Sequence, residues 1–345
     1  LAADPLYAGD PVRAALTAFA LAILAACAPQ VAPIGSLTTS PSITEAAFKT
    51  ADGLSLPVRV WRPETELAGV VLAVHGFNDY SKSFDVVPDA PGVGPVLAAK
   101  GFAVYAYDQR GFGASPHAGL WPGEDQIVTD FSDFARVLDR TYPDVPLYAI
   151  GVSMGGAVII AAMTADDPPP IDAAVLVAPA VWSRSTMPIS YRVALWLGAH
   201  TMPKARPSGR GLGRRASDNI EMLRDAARDP LFIKETRIDS VYGLTNLMDR
   251  AQSRIGNIPV PTLYVYGAND EIIPKDATVK ALERFLTNDA DRRLGYYDSG
   301  WHMMLRDLEA ETVLVDVASF LHNPTQPLPS GADKDALARL KTAEK

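Results

Sequence analysis

The stretch Ala149-Ile150-Gly151-Val152-Ser153-Met154-Gly155-Gly156-Ala157 sets one serine among glycines, where an apolar run ends and an Ala-rich segment begins. Residues 146–150 before it are apolar without alternation, as in a strand buried on both faces. Residues 157–164 after it have the composition of a helix. Strand, sharp turn and helix therefore follow in order. Gly151-Val152-Ser153-Met154-Gly155 fits Gly-x-Ser-x-Gly, a pattern whose serine takes a strained backbone and whose neighbours come too close for a Cβ. Such a turn presents a hydroxyl at the amino end of a helix, whose partial positive charge favours a developing anion.

The same unbroken apolar character recurs at residues 69–74, 102–107, 173–178 and 262–266, with helical segments at 93–100, 125–142 and 275–286 between. Residues 46–49 and 54–61, joined by Thr50-Ala51-Asp52-Gly53, read as a hairpin. Strands alternating with helices imply an α/β fold with a mostly parallel central sheet and helices on both faces. In such a sheet, reactive groups gather in loops at the carboxyl ends of the strands.

A serine hydroxyl is a weak nucleophile near neutral pH, so it needs a base, and the base needs an orienting acid. On this kind of turn they follow in the order serine, acid, histidine. Of the five histidines, only His302 and His322 lie beyond the last strong strand. His302 sits in a loop after the expected strand 293–297, so it is the better base. Asp270 stands directly after strand 262–266 and is the acid of choice, with Asp298 and Glu271 as competitors. Two backbone N–H groups are also needed to face the charge on a substrate carbonyl. Met154 follows the serine. The other comes from His75-Gly76-Phe77-Asn78-Asp79-Tyr80, where the N–H of Phe77 is the chosen donor and His75 is read as a structural prop.

Composition narrows the function. The chain has 345 residues, 48% of them hydrophobic, enough for a sizeable core, and a formal net charge of −8, which argues against nucleic acid. A single cysteine, Cys27, leaves neither a disulfide framework nor a Cys-based zinc site. No metal or organic cofactor is called for.

Phe48-Lys49-Thr50-Ala51-Asp52-Gly53, His75-Gly76-Phe77, Asp108-Gln109-Arg110-Gly111-Phe112-Gly113-Ala114-Ser115, the serine turn, and Gly267 to Pro274 with His302 stand in one order and spacing. Together they resemble the α/β-hydrolase superfamily, in its monoacylglycerol lipase and lysophospholipase-like branch (serine aminopeptidase S33 type). The resemblance implies Ser153, Asp270 and His302 as a triad, and Phe77 and Met154 as oxyanion donors. It gives the turn after Asp108 an architectural role and places an inserted helical lid at about 181–255. The implied activity is hydrolysis of carboxylic esters of apolar acyl chains, on a lipid or ester substrate. A serine aminopeptidase of the same fold, or a catalytically silent envelope binding protein, is the alternative. For the peptidase, Glu221, Asp225 and Asp229 are the carboxylates available to hold an amine.

Residues 14–26 form an apolar run too short to span a bilayer, with the length of a signal-peptide core. Leu24-Ala25-Ala26-Cys27 resembles the lipobox of bacterial lipoproteins, which implies cleavage before a lipidated Cys27. The expected organisation is a signal peptide at 1–26, a flexible tether at 27–41, the hydrolase domain at 42–323 and a tail at 324–345. The expected location is the bacterial cell envelope, lipid-anchored to a periplasm-facing, outer-membrane surface. Replacing Cys27 with Ser is expected to release the protein from membranes on fractionation; retention in the membrane pellet would refute the lipid anchor.

Overall fold

The apolar runs become one sheet. The computed structural model describes residues 28–207, 213–287 and 291–343, so the apolar run at 14–26 and Cys27 lie outside the described residues. The strands are β1 (Ser42–Ile43), β2 (Ala47–Lys49), β3 (Ser55–Trp61), β4 (Gly69–Val74), β5 (Phe102–Tyr107), β6 (Leu147–Val152), β7 (Ala173–Val177), β8 (Thr262–Gly267) and β9 (Arg292–Tyr297). They pair in the order β1-β2-β3-β5-β4-β6-β7-β8-β9. β1 to β3 form an antiparallel margin, and from β5 to β9 the pairs are parallel.

The helices are α1 (Val93–Ala99), α2 (Glu124–Thr141), α3 (Met154–Met163), α4 (Ile189–Thr201), α5 (Ile220–Arg228), α6 (Ile238–Arg254), α7 (Lys275–Phe285), α8 (Ala310–His322) and α9 (Ala336–Thr342). Every residue of β4 is buried, because both faces of the sheet are covered. Val70, Leu72 and Val74 join a core with Phe131 and Phe134 of α2, Val158 and Ile159 of α3, and Leu282 of α7. Val71 and Ala73 join a second core with Val93 and Leu97 of α1 and Val313 and Val317 of α8. This two-sided burial explains why the strand sequences do not alternate.

The helix after Ser153 begins at Met154 rather than at the expected residue 157. Gly155 and Gly156 are poor helix formers in isolation, and tertiary packing overrides that propensity. Between β7 and β8, α4, α5 and α6 fill the place of the inserted lid. α6 is half core: Leu247, Met248 and Ala251 are buried in the cluster that contains α3. α4 is otherwise, with Ala199 its one buried residue.

The segments read as tether and tail both make contacts with the domain. In the stretch read as a flexible tether, Gln30 N–H donates to Asp239 Oδ2 at 3.2 Å and Ala32 N–H to Trp121 O at 2.7 Å. Further on, Gly35 N–H donates to Asp52 Oδ2 at 3.1 Å, and Thr38 and Thr39 both donate to Ala51 O. Backbone donors gain partners this way, without an apolar pattern to announce it. In the expected tail, α9 buries Ala336 and Leu340. Tyr296 N–H donates to Ala332 O at 2.9 Å, and Arg339 lies over the Tyr296 ring and bonds Tyr296 O.

Arg110, in the turn after β5, is fully buried between two carboxylates. Its Nε and Nη2 bond Asp130 of α2, each at 2.9 Å, while Nη1 and Nη2 bond Asp52 of the β2–β3 turn at 2.8 and 2.9 Å. The guanidinium holds the Asp52 carboxyl well below the usual carboxylate range. Removing it would strand two buried charges, so Arg110→Ala is expected to lower unfolding free energy by about 3–5 kcal/mol, read from urea denaturation. An unchanged midpoint would show that the three groups are not coupled.

Candidate active site

Ser153 ends β6 and precedes α3 with φ 52° and ψ −112°, in the left-handed region that side chains rarely adopt. Its N–H donates to Val177 O at 2.9 Å, and its carbonyl accepts from Ala180 at 2.9 Å and Ala157 at 3.2 Å. β7 and the chain just beyond it thus hold the turn on both sides. A Cβ on Gly155 would lie 2.0 Å from Val74 O, and one on Gly151 would lie 2.5 Å from the Gly155 carbonyl carbon. The glycines are there because helix, strand and turn meet without room for a methyl group. The half-buried serine is left at the mouth of α3.

His302 and Asp270 meet. His302 Nδ1 is 2.9 Å from Asp270 Oδ2. The other Asp270 oxygen accepts from Ile272 N–H at 2.8 Å and Ile273 N–H at 2.9 Å, a local turn that aims the carboxylate. A carboxylate acceptor places the imidazole proton on Nδ1 and leaves Nε2 with a lone pair, the form a general base requires. The competing acids are engaged elsewhere. Asp298 bonds Arg339 at 2.7 Å and Glu271 accepts from Arg215 N–H at 2.6 Å. His322 lies near the surface against Lys100 O.

The loop after β4 runs beside the serine: a Cβ on Gly76 would lie 3.5 Å from the Ser153 Cβ. Among the described hydrogen bonds, neither Phe77 N–H nor Met154 N–H has a protein acceptor. Two free donors beside one hydroxyl are what stabilisation of an oxyanion calls for. The buried His75 props this loop, with Nδ1 bonding Gly76 O at 2.8 Å and Nε2 accepting from Gln109 N–H at 2.9 Å. Its desolvation pushes the imidazole pKa down, so the ring stays neutral. Phe77 itself packs its ring against Phe112 and Trp121.

No hydrogen bond joins Ser153 to His302 among those described; the imidazole is oriented by Asp270. Hydrogen bonds of this kind are often long before substrate arrives. Sequence reasoning missed the groups that fix the histidine loop. Asp307 accepts from Trp301 N–H at 2.8 Å, and Arg306 pairs with Asp79 of the loop after β4. Two charged residues closing Met303-Met304-Leu305 are the only sequence signal for them, and it is weak. Gly155→Ala is expected to cost about 1–3 kcal/mol through overpacking, read from the urea midpoint; a variant as stable as its parent would show that the close approach to Val74 is relaxed in solution.

Residues 65–309, more than two thirds of the chain, match the family described as serine aminopeptidase, S33. Among curated proteins, the monoacylglycerol lipase of Mycolicibacterium smegmatis is 26% identical over 288 residues, covering 82% of this chain and 98% of the relative. The monoglyceride lipase of Mus musculus is also 26% identical, covering 79% and 88%. Among solved structures, the monoacylglycerol lipase of Paleococcus ferrophilus aligns with a TM-score of 0.63 at 21% identity, covering 78% of this chain and 99% of that one. A soluble variant of the monoglyceride lipase from Saccharomyces cerevisiae, bound to a substrate analogue, aligns with a TM-score of 0.65 at 20% identity, covering 86% and 100%. The structural likeness establishes an α/β-hydrolase fold, and the sequence match, spanning strand, serine turn and histidine loop together, places the chain in the serine aminopeptidase S33 family.

Proposed function

We propose that the chain is a serine hydrolase of carboxylic esters with apolar acyl chains, acting on monoacylglycerols or lysophospholipids. The observation that carries this reading is the 2.9 Å His302–Asp270 pair, whose loop meets the serine turn and the loop after β4 at a small cavity lined by Gly76, Val152 and Met303. Ser153 Oγ attacks the ester carbonyl as His302 Nε2 takes its proton. Asp270 keeps the other ring nitrogen protonated and stabilises the imidazolium. The N–H groups of Phe77 and Met154 receive the oxyanion, the alcohol leaves with the proton from His302, and water then releases the acyl group by the same route. This mechanism requires the Ser153–His302 contact to close when substrate fills the mouth.

The substrate class is supported by the named lipases among the relatives and by the lid. α4 exposes Ile189, Tyr191, Val193, Trp196 and Leu197. Between Ala173 and Ser217 there is no Asp or Glu, in a chain whose net charge is −8, while Arg192, Lys204 and Arg206 stand exposed there. An apolar and cationic face suits an anionic lipid surface. Membrane attachment through a lipidated Cys27, facing the periplasm, belongs to the same proposal. Among the described residues no helix is long and apolar enough to cross a membrane.

The peptidase alternative is less well supported, because its carboxylates have partners. Asp229 accepts from Tyr80 Oη at 2.7 Å and Lys82 Nζ at 2.9 Å, Asp225 lies 3.8 Å from Lys82, and Glu221 pairs with Arg224. A panel of monoacylglycerols, lysophospholipids, nitrophenyl esters and aminoacyl amides decides. Ester turnover is expected, with Ser153→Ala inactive and Asp270→Asn lowered about 10³–10⁴-fold in kcat. Amide turnover alone would favour the peptidase. Absence of both turnover and fluorophosphonate labelling of Ser153 would favour a silent binding protein.

A further inference from the structure

The loop that carries His302 is joined to the lid by bonds that the catalytic scheme does not use. Ser217 Oγ donates to Asp307 Oδ1 at 2.5 Å, and the other Asp307 oxygen accepts from Trp301 N–H, the residue before His302, at 2.8 Å. Met303 N–H, on the far side of His302, donates to Ala216 O at 2.9 Å. Asn219 Nδ2 bonds Arg306 O at 3.0 Å, and Leu308 N–H bonds Asp218 Oδ1 at 3.0 Å. Residues 216–219 of the lid and 301–308 of the histidine loop are therefore laced together on both sides of the imidazole. Arg306 extends the lacing to Asp79, whose own oxygen takes Tyr80 N–H at 2.9 Å in the loop that carries Phe77.

We propose that Asp307 is a positioning residue for His302, and that through Ser217 it makes the reach of the imidazole toward Ser153 depend on the seating of the lid. This rests on His302 being the base of the ester hydrolysis proposed above. A carboxylate is suited to the role because it accepts at two oxygens in one plane, from the lid hydroxyl and from the loop amide. The site is buried: Ser217 is 0% exposed and Asp307 3%. With Asp307 held from both sides, a shift of residues 216–219 moves an acceptor that the His302 backbone depends on. His302 is not bonded to Ser153 in this structure, so small displacements of its loop decide whether the contact forms, and misplacement on the scale of 1 Å can lower a rate by about a hundredfold.

The electrostatics are consistent with a working rather than a stabilising group. Burial pushes the Asp307 carboxyl up to about 6, with Asp218 adding to the rise, while the Ser217 and Trp301 bonds and His302 oppose it. The charged and titratable groups around it are Asp218 from the lid, His302 and Arg306 from its own loop, Glu309, and Tyr297 at the end of β9; Asp218, Glu309 and Tyr297 share a small cavity with it. Because the folded-state value is raised, the associated stability is present at low pH and is lost as pH rises through about 6. At neutral pH the ionised carboxylate is thus held at a cost to stability, as groups kept for activity often are.

The test compares full-length protein with Asp307→Asn, Asp307→Glu and Ser217→Ala. It measures kcat and KM on a soluble nitrophenyl ester from pH 5 to 9, melting temperature at pH 8, and the His302 titration by NMR. Asp307→Asn is expected to lose kcat by about tenfold to a hundredfold, with KM within twofold and the melting temperature within a few degrees. Its acid limb and its His302 titration should both move to lower pH, because a negative charge near the imidazole is gone. Ser217→Ala should show a smaller loss of kcat, and Asp307→Glu should recover part of the rate and the whole pH profile. Native kcat and an unmoved His302 titration in folded Asp307→Asn would overturn the proposal. If Asp307→Asn fails to fold, native kcat in Ser217→Ala overturns it instead. Absence of turnover in the wild type would count against the ester reading alone, since the His302 titration still reports on Asp307.

Discussion

Ser153 keeps a backbone conformation that costs on the order of 1–3 kcal/mol because β7 holds its N–H and Ala180 holds its carbonyl. That turn can form only if α3 rides directly on the end of β4, which is why Gly155 faces Val74 O with no room for a side chain. The same close approach sets the distance between the serine and the loop of Gly76 and Phe77, so candidate nucleophile and candidate oxyanion donors are fixed by one packing contact. The partner pair, His302 and Asp270, comes from the ends of β9 and β8, three and two strands away from β6. It reaches the serine turn through the sheet and through the Arg306–Asp79 pair, and this separation is where the site has freedom.

Much of this is written locally in the chain. Unbroken apolar runs marked the parallel strands because burial on both faces removes alternation. The serine turn was legible because its glycines answer a steric demand confined to a few residues. Asp270 and His302 were legible by their places after strands, while their meeting is a product of the fold. Other features left no periodic trace. The binding of residues 30–39 uses backbone donors, which any residue carries. The start of α3 at Met154 runs against the propensity of two glycines. The Asp307–Ser217 bond spans 90 residues, and nothing local in either residue distinguishes it from a solvated loop.

The lid divides into unlike halves. α6 is pinned by its buried face to the helices over the sheet, whereas α4 leaves a broad apolar surface exposed. Between them, residues 216–219 neither cover the core nor face outward; they lie on the histidine loop. An insertion built this way has one side fixed to the core, an outward apolar surface, and a short segment that rests on the histidine loop.

The two margins of the sheet are finished differently, and this bears on how copies of the protein meet. On one side β1 is only two residues long, offering little ladder to extend. On the other, the chain after α8 folds back so that Ala332 and Arg339 occupy the main-chain groups of Tyr296. That edge is therefore interrupted at Tyr296, and strand-to-strand pairing between copies is discouraged at both borders. Contacts between copies are then left to helices and loops.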